Sequence, residues 1–224
     1  DNDGKLDIFA GNLGENYKYR ASDEAPFEVY SDDLDKDGKY DIVLGYNNDG
    51  TLYPVRGLQC SSEQIPSLKK KFPTYDEFGS SDLYKVYGES LTNALHYKAN
   101  CFSSGVLWGQ QDNTFEFEKL SVEAQLFPIQ DVVVKDVDGD EDLDFVLVGN
   151  WHMAEVETPR ADAGIGLVLI NDGSRKLVPQ SYSKSGLLTK FDARKVVEIQ
   201  QENGKSSYII ANNNAQLQMF TTVQ

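Results

Sequence analysis

The sequence predicts a mainly β chain carrying a short helical insertion, and three observations lead there. Short runs rich in Val, Ile, Phe and Tyr recur along the chain, Asn-Asp-Gly turn signals separate them, and an aspartate motif repeats in register ahead of several of them. Many short strands with regular turns and an internal repeat point to a propeller or a sandwich.

In chain order, Asp1–Asp7 runs into Ile8-Phe9-Ala10-Gly11. Phe27-Glu28-Val29-Tyr30 reads as a strand, followed by the acidic stretch 33–41 and the apolar Ile42–Tyr46. Asn48-Asp49-Gly50 then predicts a hairpin into Thr51–Val55. Over 61–100 the period changes: Ile65, Leu68 and Phe72, then Leu83, Val86, Leu91 and Leu95, follow helical spacing. Ser61 or Ser62 is the expected cap, and Pro73 and Gly88 divide the region into two or three short helices. Its Lys69-Lys70-Lys71 run reads as a solvated helix face. Strands resume at Val132–Val134 and, after a second acidic stretch at 136–144, at Phe145–Gly149. Asn171-Asp172-Gly173 and Asn203-Gly204 mark two further hairpins, and Gln216–Phe220 is a last strand.

The totals bound the function. A chain of 224 residues suffices for one or two domains, and 40% apolar with 25% charged residues is ordinary for a soluble protein. No run approaches the length of a transmembrane helix. The net charge of −15 argues against nucleic acid and against anionic membranes. No signal peptide is present, and residue 1 reads as an artificial or processed start. Cys60 and Cys101 lie outside any zinc spacing and are either a pair in an exported protein or two unrelated small apolar residues. His96 and His152 read as surface or core residues rather than ligands. Gly164-Ile165-Gly166 lacks the third glycine and the helix of a nucleotide loop. Trp108, Trp151 and the tyrosines read as core or rim aromatics.

Twelve aspartates fall in three segments, 1–7, 33–41 and 136–144. In register, Asp1, Asp35 and Asp138 coincide, as do Asp3, Asp37 and Asp140, and Asp7, Asp41 and Asp144. Asp33 and Asp136 open the two complete copies, giving D-x-D-x-D-G-x-x-D, a short apolar strand and then glycine. Two such charges about 5 Å apart repel by roughly 3 kcal/mol at an effective dielectric near 20. They need a counter-charge or they hold the loop open, and an Asp-rich turn without metal is the alternative to a calcium loop. Short carboxylates at alternate positions of a compact loop suit a hard cation with six to eight oxygen ligands, chiefly Ca²⁺. The backbone carbonyls of Lys5, Lys39 and Asp142 are candidate further ligands. Gly4 and Gly38 stand where a positive φ is expected, and Glu141 occupies that place in the third loop. An EF-hand is excluded, because Leu44 and Leu147 stand where its twelfth-position Glu would be and strands, not helices, flank the loops.

This motif, strand and glycine resemble the FG-GAP/VCBS repeat, as in the integrin α-subunit N-terminal propeller. Within that group the chain is similar to exported bacterial VCBS-repeat proteins related to the cartilage acidic protein (ASPIC/UnbV) class. Softer matches are Gly11-Asn12-Leu13-Gly14-Glu15-Asn16, Lys69–Thr74, Glu123-Ala124-Gln125-Leu126 and Gly149-Asn150. The resemblance implies a partial β-propeller with a helical insertion over about 61–100 and blades at about 1–26, 27–120, 121–181 and 182–224. It also implies Ca²⁺ on Asp33, Asp35, Asp37 and Asp41, and on Asp136, Asp138, Asp140 and Asp144. A start inside a loop implies a C-terminal piece of a longer protein, whose remaining blades or a second copy would meet an open edge.

The expected function is a calcium-stabilised, non-enzymatic binding scaffold, extracellular, periplasmic or on the cell surface, with a glycan or protein ligand. A polysaccharide-active propeller enzyme, lyase or hydrolase, is the alternative. A purely structural domain of a larger surface protein is the third reading. No HExxH, GxSxG or His-based constellation is legible.

Overall fold

The structure, a computed structural model, describes residues 1, 3–154, 158–202 and 204–222. In chain order these form β1 (Ile8–Ala10), β2 (Phe27–Asp32), β3 (Asp41–Asn48) and β4 (Thr51–Pro54). Helices α1 (Leu58–Gln64), α2 (Leu68–Lys71), α3 (Tyr75–Gly79) and α4 (Leu83–Tyr87) follow, with a 3₁₀ turn over Gly88–Thr92. Next come β5 (Leu95–Ala99), β6 (Gly105–Gly109), β7 (Phe115–Lys119), a 3₁₀ turn at Val122–Gln125, and β8 (Ile129–Lys135). The remainder is β9 (Asp144–Gly149), β10 (Leu167–Asn171), β11 (Leu177–Gln180), α5 (Tyr182–Ser185), β12 (Ala193–Gln200), β13 (Ser206–Asn212) and β14 (Gln218–Thr221). The chain is mainly β, and its described residues form four antiparallel sheets, none of them closed.

Two compact units divide it, Asp1–Tyr17 with Ser103–Gln224, and Lys18–Phe102. The first holds three sheets, ordered β1-β6-β7, β11-β10-β9-β8 and β12-β13-β14. Its middle sheet is buried on both faces. Leu147, Leu167 and Leu169 pack with Val106, Trp108, Phe127 and Ile129, while Val146, Val148 and Val168 pack with Val196, Tyr208 and Ile210. Successive side chains of a strand point to opposite faces, so an uninterrupted Phe145–Val148 run serves two cores at once.

The β1-β6-β7 sheet draws on both the 1–26 and the 27–120 segments of the expected blades, pairing Ile8 with Leu107. β6 and β7 are strands that the turn signals do not mark. The alternation Phe115-Glu116-Phe117-Glu118 is the trace they leave in the sequence.

The second unit is one sheet, β4-β3-β2-β5, with the helices. Tyr30 and Val43 of the sheet pack with Leu83 and Leu91, and Leu58, Ile65, Leu68, Phe72, Phe78 and Val86 make a helical core. The Asn48–Thr51 hairpin turns through Asp49 at φ 49° and Gly50 at φ 82°, the primed geometry that its sequence predicts. The Asp172–Lys176 turn joins β10 to β11 as expected. Asn203, of the expected β12–β13 turn, lies outside the described residues.

Three details of the helical region differ from expectation. Helices begin at Leu58 with Gly57 as N-cap, so Ser61 and Ser62 lie inside α1, where their hydroxyls donate to the carbonyls of Arg56 and Gln59. Effective caps occur further on, where Thr74 and Asp82 accept from the N–H of Glu77 and Lys85. Leu95 belongs to β5, whose backbone pairs with β2 from Leu95↔Ser31 to Ala99↔Phe27. Tertiary pairing outweighs a helical spacing that only Leu95 extends. Cys60 and Cys101 are not joined by a disulfide.

On this sheet Glu28, 8% exposed, gathers a polar cluster. Its Oε2 accepts from the Tyr30 hydroxyl at 2.6 Å and lies 2.6 Å from His96 Nε2, while Lys98 Nζ is 3.4 Å from Oε1. Burial pushes the Glu28 carboxyl up, but the hydrogen bonds from Tyr30 and His96 and the charge of Lys98 together hold it below the ordinary value. A depressed carboxylate adds stability that is complete above the unfolded value, near 4.5, and is lost as pH falls through the folded one. Glu28→Gln is therefore expected to lower the thermal midpoint at pH 7, with the gap to wild type closing as pH falls below 4.5. A gap of constant size down to acid pH would remove this role.

Candidate metal centres

Asp33–Asp41 joins β2 to β3 in one unit, and Asp136–Asp144 joins β8 to β9 in the other. The two loops share one internal hydrogen-bond pattern. Asp33 Oδ2 accepts from Gly38 N–H at 2.9 Å, as Asp136 Oδ2 does from Glu141 N–H at 3.2 Å. Asp41 Oδ2 takes Leu34 N–H at 3.0 Å, as Asp144 Oδ2 takes Val137 N–H at 2.7 Å. A third contact appears in all three copies: Lys39, Asp142 and Lys5 donate their N–H to the Oδ1 of Asp37, Asp140 and Asp3 at 2.8, 2.9 and 2.9 Å.

Backbone handedness repeats as well. Lys36 at φ 64° and Gly38 at φ 91° match Gly139 at φ 90° and Glu141 at φ 75°. Each complete loop thus has two left-handed positions and one glycine, placed at opposite positions in the two loops. An ordinary residue there costs about 1 kcal/mol. Nothing lies within 4 Å of a Cβ built on Gly38, so only the dihedral is at stake. Glu141→Gly is expected to stabilise by about 1 kcal/mol and Gly38→Ala to destabilise by about as much in urea unfolding. Equal stabilities across the three proteins would overturn the strain argument.

Carboxylate oxygens of Asp33, Asp35 and Asp37 lie within 4.8 Å of one another, and so do those of Asp136, Asp138 and Asp144. Two oxygens on one Ca²⁺ are at most about 5 Å apart, since each bond is roughly 2.3–2.6 Å. Both trios fit a single hard cation by spacing and by their all-oxygen donors. Asp41 and Asp140 stand outside the trios, each with an oxygen turned to a backbone N–H. Asp142 points a carboxylate oxygen toward Gly173, where an added Cβ would stand 2.5 Å from it. The Lys39 ammonium lies 3.5 Å from Asp37 Oδ2 on the surface.

Like charges repel within both loops. Burial, and then the repulsion of Asp35, Asp37 and Asp33, pushes the Asp41 carboxyl up against the pull of the Leu34 N–H. Partial desolvation with Asp140, Asp144 and Asp136 raises Asp138 in the same sense. No Lys or Arg lies between Asp136 and Asp144, and among the described residues none pairs with Asp136, Asp138, Asp140 or Asp144. Two trios capable of holding a metal ion are the result.

The first copy differs. Asp1, Asp3 and Asp7 are not brought into such a trio among the described residues, and Asn2 between them lies outside those residues. A guanidinium supplies the charge instead: Arg175 Nε lies 2.6 Å from Asp1 Oδ2, with its head 5.2 Å over the Trp108 ring and 3.6 Å from Glu116. Asp7 Oδ1 accepts from Gly109 N–H at the end of β6, matching Asp144 Oδ1 with Asn171 N–H at the end of β10. The last aspartate of each of these copies pins its loop to the neighbouring strand.

The softer motif stretches also find physical roles. Gln125, 3% exposed, bonds Ser104 through both side-chain atoms, and its carbonyl accepts from Glu15 and Asn16. A Cβ on Gly14 would stand 2.6 Å from that carbonyl, so the 11–16 and 123–126 stretches require each other. Comparison of the chain with protein-family models, with curated proteins and with solved structures finds no match.

Proposed function

We propose that the chain is a calcium-stabilised, non-enzymatic binding scaffold of the FG-GAP/VCBS type, a partial β-propeller acting outside the cell. The observation that carries this reading is the pair of carboxylate trios on loops with one shared backbone pattern. The middle sheet of the larger unit, packed on both faces by other antiparallel sheets, is the arrangement expected of neighbouring blades. Bound calcium would cancel loop repulsion and hold each strand pair in register. Asp33, Asp35 and Asp37 would hold one ion, and Asp136, Asp138 and Asp144 the other. Extracellular calcium modules bind at about 10⁻⁴–10⁻³ M, so such loops fill where calcium is millimolar. Recognition of a glycan or protein then falls to the loops and the helical segment.

Calorimetric titration with calcium tests the reading. Two sites are expected, one lost in Asp33→Asn/Asp35→Asn and the other in Asp136→Asn/Asp138→Asn. Heat of binding unchanged in both variants would overturn it.

One observation favours an enzyme as the second reading. Glu28, Tyr30 and His96 form an acid–base cluster that shares no residue with either trio, with Tyr84 joined at 3.2 Å. Glycan cleavage abolished by Tyr30→Phe would select it; glycan retention without cleavage would select the scaffold.

A further inference from the structure

Within the larger unit, a cleft of about 360 Å³ opens between the β8–β11 sheet and the β12–β14 sheet. That volume is at the lower end of the range for small-molecule sites, roughly 300–1,000 Å³. Val168, Ile170 and Phe220 supply apolar wall, and Tyr208, Lys184 and Asp138 supply the polar groups. Tyr208 is 6% exposed, and its hydroxyl makes no hydrogen bond among the described residues. The hydroxyl oxygen itself is open to the cleft, so a ligand oxygen can bond it without displacing a protein partner. Lys184, on α5, has no ion-pair partner among the described residues. An apolar cleft that holds one unpaired ammonium and one unpaired phenol is complementary to an apolar body ending in an anion.

We infer that this cleft binds an amphipathic monocarboxylate, with its hydrocarbon against Val168, Ile170 and Phe220 and its carboxylate on Lys184 Nζ and the Tyr208 hydroxyl. Asp138 adds a charge dependence. Its carboxylate opposes an anionic ligand until a cation neutralises the trio, so calcium strengthens binding; this clause alone rests on the calcium reading.

The test uses the full chain and three probes that share a body and differ in the head: 4-phenylbutyrate, 4-phenylbutan-1-ol and 4-phenylbutylamine. Calorimetry is expected to show saturable binding of the carboxylate, at least about tenfold tighter than the amine. Lys184→Met, at an exposed position, should reduce carboxylate affinity to that of the alcohol and leave alcohol binding unchanged. The near-isosteric Tyr208→Phe should weaken the carboxylate by about fivefold. No saturable binding, or affinity indifferent to the head group or to Lys184→Met, overturns the assignment. If the carboxylate binds through Lys184 while calcium leaves stability unaltered, the cleft stands and the calcium reading fails. If calcium stabilises the chain and the carboxylate does not bind, the cleft assignment falls alone.

Discussion

Calcium is expected to raise the thermal midpoint of this protein, and a chelator to lower it. At free calcium about twenty times the dissociation constant, each site adds roughly 1.8 kcal/mol. Two sites add about 3.6 kcal/mol, a large part of a typical stability of roughly 5–15 kcal/mol. The trios sit in different compact units, so each unit gains its own increment. At about 2–4 °C per kcal/mol for the larger unit and about 4–8 °C for the shorter Lys18–Phe102 unit, the midpoints rise by roughly 4–7 °C and 7–14 °C. Asp35→Asn should change sign with the metal. In chelator it removes repulsion from an uncompensated loop and raises the midpoint; in calcium it removes a ligand and lowers it. Superimposable melting curves with and without calcium would end the argument, and so would an Asp35→Asn shift of one sign in both conditions.

Asn150→Ala is the second large effect. Asn150 is fully buried, at φ 108°, a backbone conformation rare outside glycine and asparagine. Its Nδ2 donates to the carbonyls of Gly164 and Phe191, each at 2.9 Å, and its Oδ1 accepts from Gly164 N–H at 2.8 Å. Alanine leaves the carbonyl and N–H of Gly164 unpaired in the interior, at about 1–3 kcal/mol each, while the Phe191 carbonyl keeps the Ala193 N–H. A loss of at least about 3 kcal/mol in denaturant unfolding is expected. Asn150→Gly relieves the dihedral but orphans the same groups, so it should recover only about 1 kcal/mol. A loss below about 1 kcal/mol for alanine would show that the side chain does not hold this corner. Gly164 is part of the same device, because a Cβ there would stand 2.5 Å from Asn150 Oδ1.

These two effects differ in how far the sequence announces them. The acidic loops are legible because their chemistry is local: the carboxylates, the turn positions and the following strand lie within about a dozen residues. The left-handed backbone at Glu141 follows from the same register, since glycine holds that place in the other copies. Asn150 is visible in the sequence only as half of a short Gly-Asn match, because its partners are 14 and 41 residues away. Arg175 as the counter-charge of Asp1 was invisible for the same reason, being 174 residues distant. Leu95 of β5 continues a helical spacing in the sequence, while the β2 edge that recruits it lies far upstream.

By itself, then, the order of residues determined a β-rich chain, its hairpin turns and the two complete acidic loops, all properties of near neighbours. Only the tertiary structure decided which strands share a sheet, that the first acidic copy is answered by an arginine, and where the buried polar groups and the inter-sheet cleft lie. Long-range pairing depends on which complementary surfaces meet when the chain collapses, and local periodicity does not encode that choice.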